Sequence, residues 1–273
     1  MLERIKRSID FINDRFKFNP IAGIITGSGM GGLIGGMEVL HVCSYEKIPN
    51  FPGSTVEGHE GQMVFGKLSS KNIVVLQGRC HYYEGYDMDQ VTFPVRILKQ
   101  LGVEYLILTN ASGGLNPEFK AGDLMIHTDH INLMPNPLIG MVPAEDGERF
   151  PDMGQPYDRF MNERMLQVAK DEGIILHQGC YVGVTGPSFE TPAEYNYYRL
   201  IGGDTVGMST IPEVIVANQT GMKCAAISVI TNVAGRDKNL KTTHKEVVSI
   251  SQKAEPLVKK LITGLIYELS PTF

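Results

Sequence analysis

Tyr105-Leu-Ile-Leu108 runs directly into Thr109-Asn-Ala-Ser-Gly-Gly114. The first four residues are apolar without interruption, which suits a strand buried on both faces. The next six are small, polar and glycine-rich, which suits a strand exit. The same unit recurs along the chain. Ile21-Ala-Gly-Ile-Ile25 meets Thr26-Gly-Ser-Gly-Met-Gly-Gly32, and Ile73-Val-Val-Leu76 meets Gln77-Gly-Arg-Cys-His-Tyr-Tyr-Glu-Gly85. Cys180-Tyr-Val-Gly-Val184 meets Thr185-Gly-Pro-Ser-Phe-Glu-Thr191, and Thr205-Val206 meets Gly207-Met-Ser-Thr210. Ala225-Ala-Ile-Ser-Val-Ile230 meets Thr231-Asn-Val-Ala-Gly235.

Helical patterns fill the gaps. Leu2, Ile5, Ile9, Ile12 and Phe16 have helical spacing over 2–17, and a second helical stretch lies around 89–101. A last helix is expected over about 244–269, opened by Thr243 with Glu246 three residues on. Buried strands alternating with helices predict an α/β fold, with a mostly parallel or mixed sheet covered on both faces. Ligands in such folds sit beyond the carboxyl ends of the strands. The polar exits are therefore expected to converge on one site. The Pro-, Met- and Gly-rich stretch 134–156 reads as a long excursion.

Composition narrows the function. The chain has 273 residues, 42% hydrophobic and 20% charged, with a formal net charge of −5. That length holds one large α/β domain or two small ones, and the charge fraction is that of a globular protein. No basic block is present, which argues against a nucleic-acid partner. No apolar run is long enough to span a membrane. The charged, amphipathic start does not resemble a secretory signal. Cys43, Cys80, Cys180 and Cys224 are scattered and are expected as free thiols in the cytoplasm. Glycine is the outlier, 30 residues, above the usual share of about 7%. Without a G-X-Y period it points to several tight loops that approach a ligand.

The loops carry distinct chemistry. Gly27-Ser-Gly-Met-Gly-Gly32 fits G-x-G-x-x-G, yet the dinucleotide reading also needs a crossover helix, and Leu33-Ile-Gly-Gly-Met-Glu38 is short and broken. An anion loop using backbone N–H groups and Ser28 fits better, beside a plain strand-to-helix turn. In an extended segment Arg79, His81 and Tyr83 share one face, with a guanidinium fork and an imidazole donor for phosphate oxygens. Glu84 is placed to orient His81. His59 in Gly58-His-Glu-Gly61 reads as a solvated turn residue on its own. His127-Thr-Asp-His130 matches no ordinary zinc spacing and suits packing at a strand end. Phe189 and Glu190 offer a π-face and an acceptor to a flat heterocycle bearing N–H groups, and Asn232 can donate and accept at a ring edge. Met208-Ser209 adds a hydroxyl at another exit. Phosphate plus a nucleoside is the simplest ligand pair that uses an anion cradle, a sugar-friendly pair (Tyr83, His244) and a heterocycle clamp.

These stretches, with Thr128-Asp-His-Ile-Asn132, occur in the order seen in trimeric-type purine nucleoside phosphorylases, which the chain resembles along nearly its whole length. The resemblance implies a single α/β domain over 1–273, with a twisted central mixed sheet flanked by helices, in a homotrimer. It implies phosphorolysis of inosine, guanosine and their 2′-deoxy forms, without metal or organic cofactor. By resemblance phosphate falls to Ser28, His59, Arg79, His81, Ala111 and Ser209. The sugar falls to Tyr83, Met208 and His244. The base falls to Phe189, Glu190 and Asn232, and His81, Glu190 and Asn232 carry the catalysis. Residues 145–160 resemble a loop that lends an aromatic, here Phe150, to a neighbouring subunit. Cys80 stands where the family often has an aromatic, and Ser112 where it often has Ala. The rival readings are a methylthioadenosine phosphorylase, a nicotinamide-dependent oxidoreductase and a non-catalytic purine-binding module.

Overall fold

The computed structural model describes residues 1–56, 58–140, 147–233 and 243–271. Each apolar run singled out above lies in or overlaps a strand: β1 (Ala22–Ile25), β4 (Lys71–Gln77), β5 (Tyr105–Gly114), β7 (Leu176–Gly183), β8 (Thr205–Gly207) and β9 (Lys223–Val233). The remaining strands are β2 (Glu38–Ser44), β3 (Gln62–Leu68) and β6 (Leu124–Asn132). The helices are α1 (Leu2–Arg15), α2 (Met88–Gln100), α3 (Arg159–Glu172), α4 (Pro192–Leu200), α5 (Ile211–Gln219) and α6 (His244–Glu268).

The strands form one mixed sheet in the order β2-β3-β4-β1-β5-β8-β7-β6-β9, and β5 also pairs with β9. Strands β4, β1, β5 and β9 run parallel, with Ile24 opposite both Val75 and Ile107. β8 meets the tip of β5 antiparallel, through Gly113 and Val206. β7 lies parallel to β8 and β6, and β6 returns antiparallel to β9. The strands β5, β8, β7, β6 and β9 thus close into a ring. The expected convergence holds, but the exits of β7 and β8 reach the site by this closure, not as parallel neighbours of β1 and β4.

Side-chain alternation divides the core in two. Ile25, Val74, Leu76, Leu106 and Leu108 face Ile12 of α1, Phe93 and Ile97 of α2, and Val214 of α5. Ile24, Ile73, Val75, Ile107 and Ile227 face Met161 and Met165 of α3, and Val258, Leu261 and Leu265 of α6. Each fully buried aliphatic or aromatic side chain contributes about 1.5–3 kcal/mol of transfer free energy. The apolar runs of β1, β4, β5 and β9 are unbroken because both of their faces are covered.

Local signals set the helix ends. Thr243 accepts from the Glu246 N–H, and the Glu246 side chain answers in a capping box. Asp87 and Asp158 cap α2 and α3 in a similar way. α1 stops at Arg15, because Phe16 turns extended and its ring packs 5.3 Å from Phe65. β2 was not legible: only Cys43 in it is buried, so its apolar pattern carries no strand signal. Residues Gly31–Ile34 form only a short 3₁₀ turn before β2. The crossover helix that a dinucleotide site requires is absent there. Among the described residues, no helix is long and apolar enough to cross a membrane.

Candidate active site

Two threonines tie three strand exits together. Thr26 Oγ1 accepts the Gly78 N–H at 3.0 Å, and Thr109 Oγ1 accepts the Gly27 N–H at 3.1 Å. The exits of β4, β1 and β5 are thereby held at hydrogen-bond distance. Gly27 has no room for a side chain, since a Cβ would lie 2.7 Å from the Thr109 carbonyl oxygen. Gly78 has φ +98°, and a Cβ there would meet His59 at 2.5 Å.

A cavity of about 240 Å³ opens beyond these exits. Ser28, Arg79, His81, Ala111 and Ser209 line it, as do Tyr83, Met208 and His244, and Phe189, Glu190 and Asn232. Thus residues from seven separate stretches share one space. Two of the expected residues do not line it. His59 stands behind Ser28, with Nε2 3.5 Å from Oγ, and Nδ1 lies 2.8 Å from Ser54 Oγ. Phe150 is 84% exposed, with the Arg149 guanidinium 5.4 Å from its ring centre. Glu145 and the residue after it lie outside the described residues.

Three sequence expectations about the anion group need correction. Arg79 does not present an open fork. Its Nη1 donates to Thr210 Oγ1 at 3.3 Å and to Glu213 Oε2 at 3.2 Å, and its Nη2 donates to the carbonyls of Ile25 and Thr109. The buried Nε is the guanidinium nitrogen without a protein partner. The sequence gives no hint of this, because Glu213 and Thr210 are far along the chain. Nor do Arg79, His81 and Tyr83 lie on one extended face. Tyr82–Glu84 is a 3₁₀ turn, which instead stacks the His81 and Tyr83 rings 4.7 Å apart. His59 stacks on the other neighbour of this column, 5.6 Å from His81.

His81 Nδ1 lies 2.8 Å from Glu84 Oε1. Burial lowers the pKa of His81 and keeps the ring neutral at neutral pH, against the pull of Glu84. Burial alone would raise Glu84, but hydrogen bonds from His81 and Thr55 outweigh it and hold the carboxyl at about 2. A carboxylate can only accept, so Nδ1 carries the proton and Nε2 is left as an acceptor. His81 is therefore not the simple donor that the sequence suggested. Burial likewise brings His59 down to about 4.

The second group centres on a residue that sequence reasoning missed. Asn232 Nδ2 donates to Tyr195 Oη at 3.2 Å, and Tyr195 also hydrogen-bonds Glu190. Thr231 Oγ1 donates to Asn232 Oδ1 at 3.1 Å. Both ends of the Asn232 amide are thus oriented, and Tyr195 links it to the carboxylate. Burial raises the pKa of Glu190, and hydrogen bonding from Tyr195 works against that rise. Tyr195 sits on α4, whose Thr191–Glu194 capping box is the only local cue to its placement.

The flagged histidines sit elsewhere. His127 is fully buried, with Nδ1 3.2 Å from Tyr157 Oη and Nε2 2.7 Å from Ser228 Oγ. His130 Nδ1 reaches the same tyrosine. Cys80 packs away from the cavity with Met88, Val91 and Met134. Ser112 lines the cavity.

Comparison with known proteins agrees with this geometry. Residues 22–267 match the family model described as Phosphorylase superfamily. The chain is 49% identical to purine nucleoside phosphorylase 1 of Bacillus subtilis (strain 168), covering 97% of this chain and 98% of that one. It is 42% identical to the purine nucleoside phosphorylase of Rattus norvegicus, covering 98% and 96%. A solved structure of the Schistosoma mansoni purine nucleoside phosphorylase in complex with inosine superposes with a TM-score of 0.93 at 39% identity, covering 99% and 98%. With its fold, its gathered strand exits and these matches over nearly the full length, the chain belongs to the purine nucleoside phosphorylases of the phosphorylase superfamily.

Proposed function

We propose that this chain is a pentosyltransferase that splits purine nucleosides with inorganic phosphate, acting on inosine, guanosine and their 2′-deoxy forms. The observation that carries the reading is that anion-binding groups, Tyr83 and His244, and the Phe189–Glu190–Asn232 set line one cavity.

Phosphate sits on Ser28, Ser209, the Ala111 backbone and Arg79, with His59 behind. The bare His81 Nε2 accepts the proton of a protonated phosphate oxygen. Tyr83, His244 and the Met208 backbone hold the pentose. Phe189 stacks on the purine, and Glu190 accepts N1–H. A phosphate oxygen then bonds to C1′ as the C1′–N9 bond breaks, and the bonding pair leaves with the purine. The sugar passes through an oxocarbenium-like state. Phosphate offsets its positive charge, and holding both reactants in one cavity removes much of the entropic barrier. Asn232 meets the developing negative charge at N7 and O6, and one preorganised donor of this kind is worth roughly 3–4 kcal/mol. No metal or organic cofactor enters these steps.

The amide at Asn232 suits a 6-oxo group better than a 6-amino group, which favours inosine and guanosine over methylthioadenosine. A homotrimer in which Phe150 completes a neighbour's sugar site is supported by the exposure of that ring. A reducing, cytoplasmic setting is supported by four free cysteines. Product identification tests the reaction: inosine and phosphate should yield hypoxanthine and ribose 1-phosphate. Free ribose in its place would make the chain a hydrolase.

A further inference from the structure

Thr210 follows Ser209 and caps α5 with φ +73° and ψ −53°, a conformation that β-branched residues rarely adopt. Such a residue persists only where its surroundings hold it, and such sites cluster near function. Thr210 is fully buried. Its N–H donates to Glu213 Oε2 at 2.8 Å, the same oxygen that accepts from Arg79.

The hydroxyl contacts have a direction. Thr210 Oγ1 accepts from Asn110 Nδ2 at 2.9 Å and from Arg79 Nη1 at 3.3 Å. These two donors, with the capping-box N–H of Glu213 on the same oxygen, occupy its lone pairs and direct its single proton to Ser209 Oγ, 3.1 Å away. The Ser209 proton then has no acceptor in Thr210; its acceptors are Tyr181 Oη, which the Ser209 side chain hydrogen-bonds, and a phosphate oxygen in the cavity. Behind Asn110 the order continues. Ser228 Oγ donates to Asn110 Oδ1 at 2.7 Å, so His127 Nε2 must donate to Ser228, and His127 Nδ1 accepts from Tyr157. Each donor in the series that runs from buried Tyr157 through His127, Ser228, Asn110 and Thr210 to the half-buried Ser209 faces the same way. Hydrogen bonds in such a series polarise one another.

We propose that Thr210 is a positioning residue. It ends a one-directional hydrogen-bond chain that makes the Ser209 hydroxyl a donor to phosphate, and it holds the Arg79 guanidinium beside it. The inference deepens the phosphorolysis reading and rests on it.

The experiment compares inorganic phosphate binding by calorimetry, and the KM for phosphate and for inosine, across Thr210→Gly, Thr210→Ser and wild type. Glycine adopts φ +73° without strain, and that relief offsets part of the cost of the lost hydrogen bonds, so Thr210→Gly should still fold. It should weaken phosphate binding about tenfold and leave the inosine KM within about twofold. Thr210→Ser keeps the hydroxyl and should stay within about threefold of wild type for phosphate. A folded Thr210→Gly that binds phosphate like wild type overturns the proposal, as does a Thr210→Ser as impaired as Thr210→Gly. Should Thr210→Gly fail to fold, Ser228→Ala cuts the chain away from the cavity. It should weaken phosphate binding about threefold with inosine KM unchanged, and no change would overturn the proposal. Wild-type product analysis separates a failure of the phosphorylase reading from a failure of this one.

Discussion

Glu84 Oε1 lies 2.8 Å from His81 Nδ1 and also accepts the backbone N–H of His81 at 2.7 Å. One carboxylate oxygen therefore fixes both the ring and the turn that carries it. Removing it frees the ring to rotate and to change tautomer. Glu84→Ala should raise the phosphate KM about tenfold or more, with a smaller change in the nucleoside KM. Steady-state kinetics with phosphate as the varied substrate check this. A phosphate KM equal to wild type would remove Glu84 from the anion site.

Asn232 is held by Thr231 and Tyr195 so that the amide meets a ring edge from a fixed direction. Asn232→Asp places an acceptor where O6 needs a donor. The variant should lose about 10²-fold in kcat/KM for inosine and lose less for adenosine. The ratio of the two substrates is the readout, and an unchanged ratio counts against the base assignment.

Tyr195 joins Asn232 to Glu190 through one hydroxyl. Tyr195→Phe removes the link and keeps the ring. It should reduce kcat/KM for inosine about tenfold while leaving the phosphate KM unaltered. Equal losses on both substrates would mean a general loss of structure.

His127 is fully buried, and desolvation first, then the charge of His130, brings its pKa to about 3. The unfolded chain takes up this proton near pH 6.5, and the folded chain resists it to far lower pH. Between those values the unfolded state binds more protons, so stability falls as pH falls. One such group gives a slope of at most about 1.4 kcal/mol per pH unit. His59 acts in the same direction between about 6.5 and about 4. Urea unfolding at pH 7, 6 and 5 should show declining stability, and His127→Gln should flatten the decline. Stability independent of pH over that window would contradict the assignment of a neutral buried ring.

Six strands and most of the site were readable because their buried runs are unbroken apolar residues followed by small polar exits; β3 and β6, also partly buried, lack such an exit and were not read. Ser28, His81, Tyr83, Phe189, Glu190 and Asn232 were found this way, and all line the cavity. The ring closure of β5 with β9 was not readable, since periodicity says nothing of which strands pair. The inward turn of Arg79 was hidden for a related reason: its partners Glu213 and Thr210 come from another strand exit and helix. Tyr195 escaped notice because a tyrosine within an ordinary helix carries no local mark of its function. β2 was missed because it is an edge with its apolar residues exposed.

The central claim is that phosphate is the nucleophile that releases the purine. Hypoxanthine release from inosine by the purified chain, followed with and without inorganic phosphate, tests it most directly. Release only when phosphate is present, saturating with phosphate, is the expected result. Release at the same rate without phosphate, or none in its presence, would contradict the account.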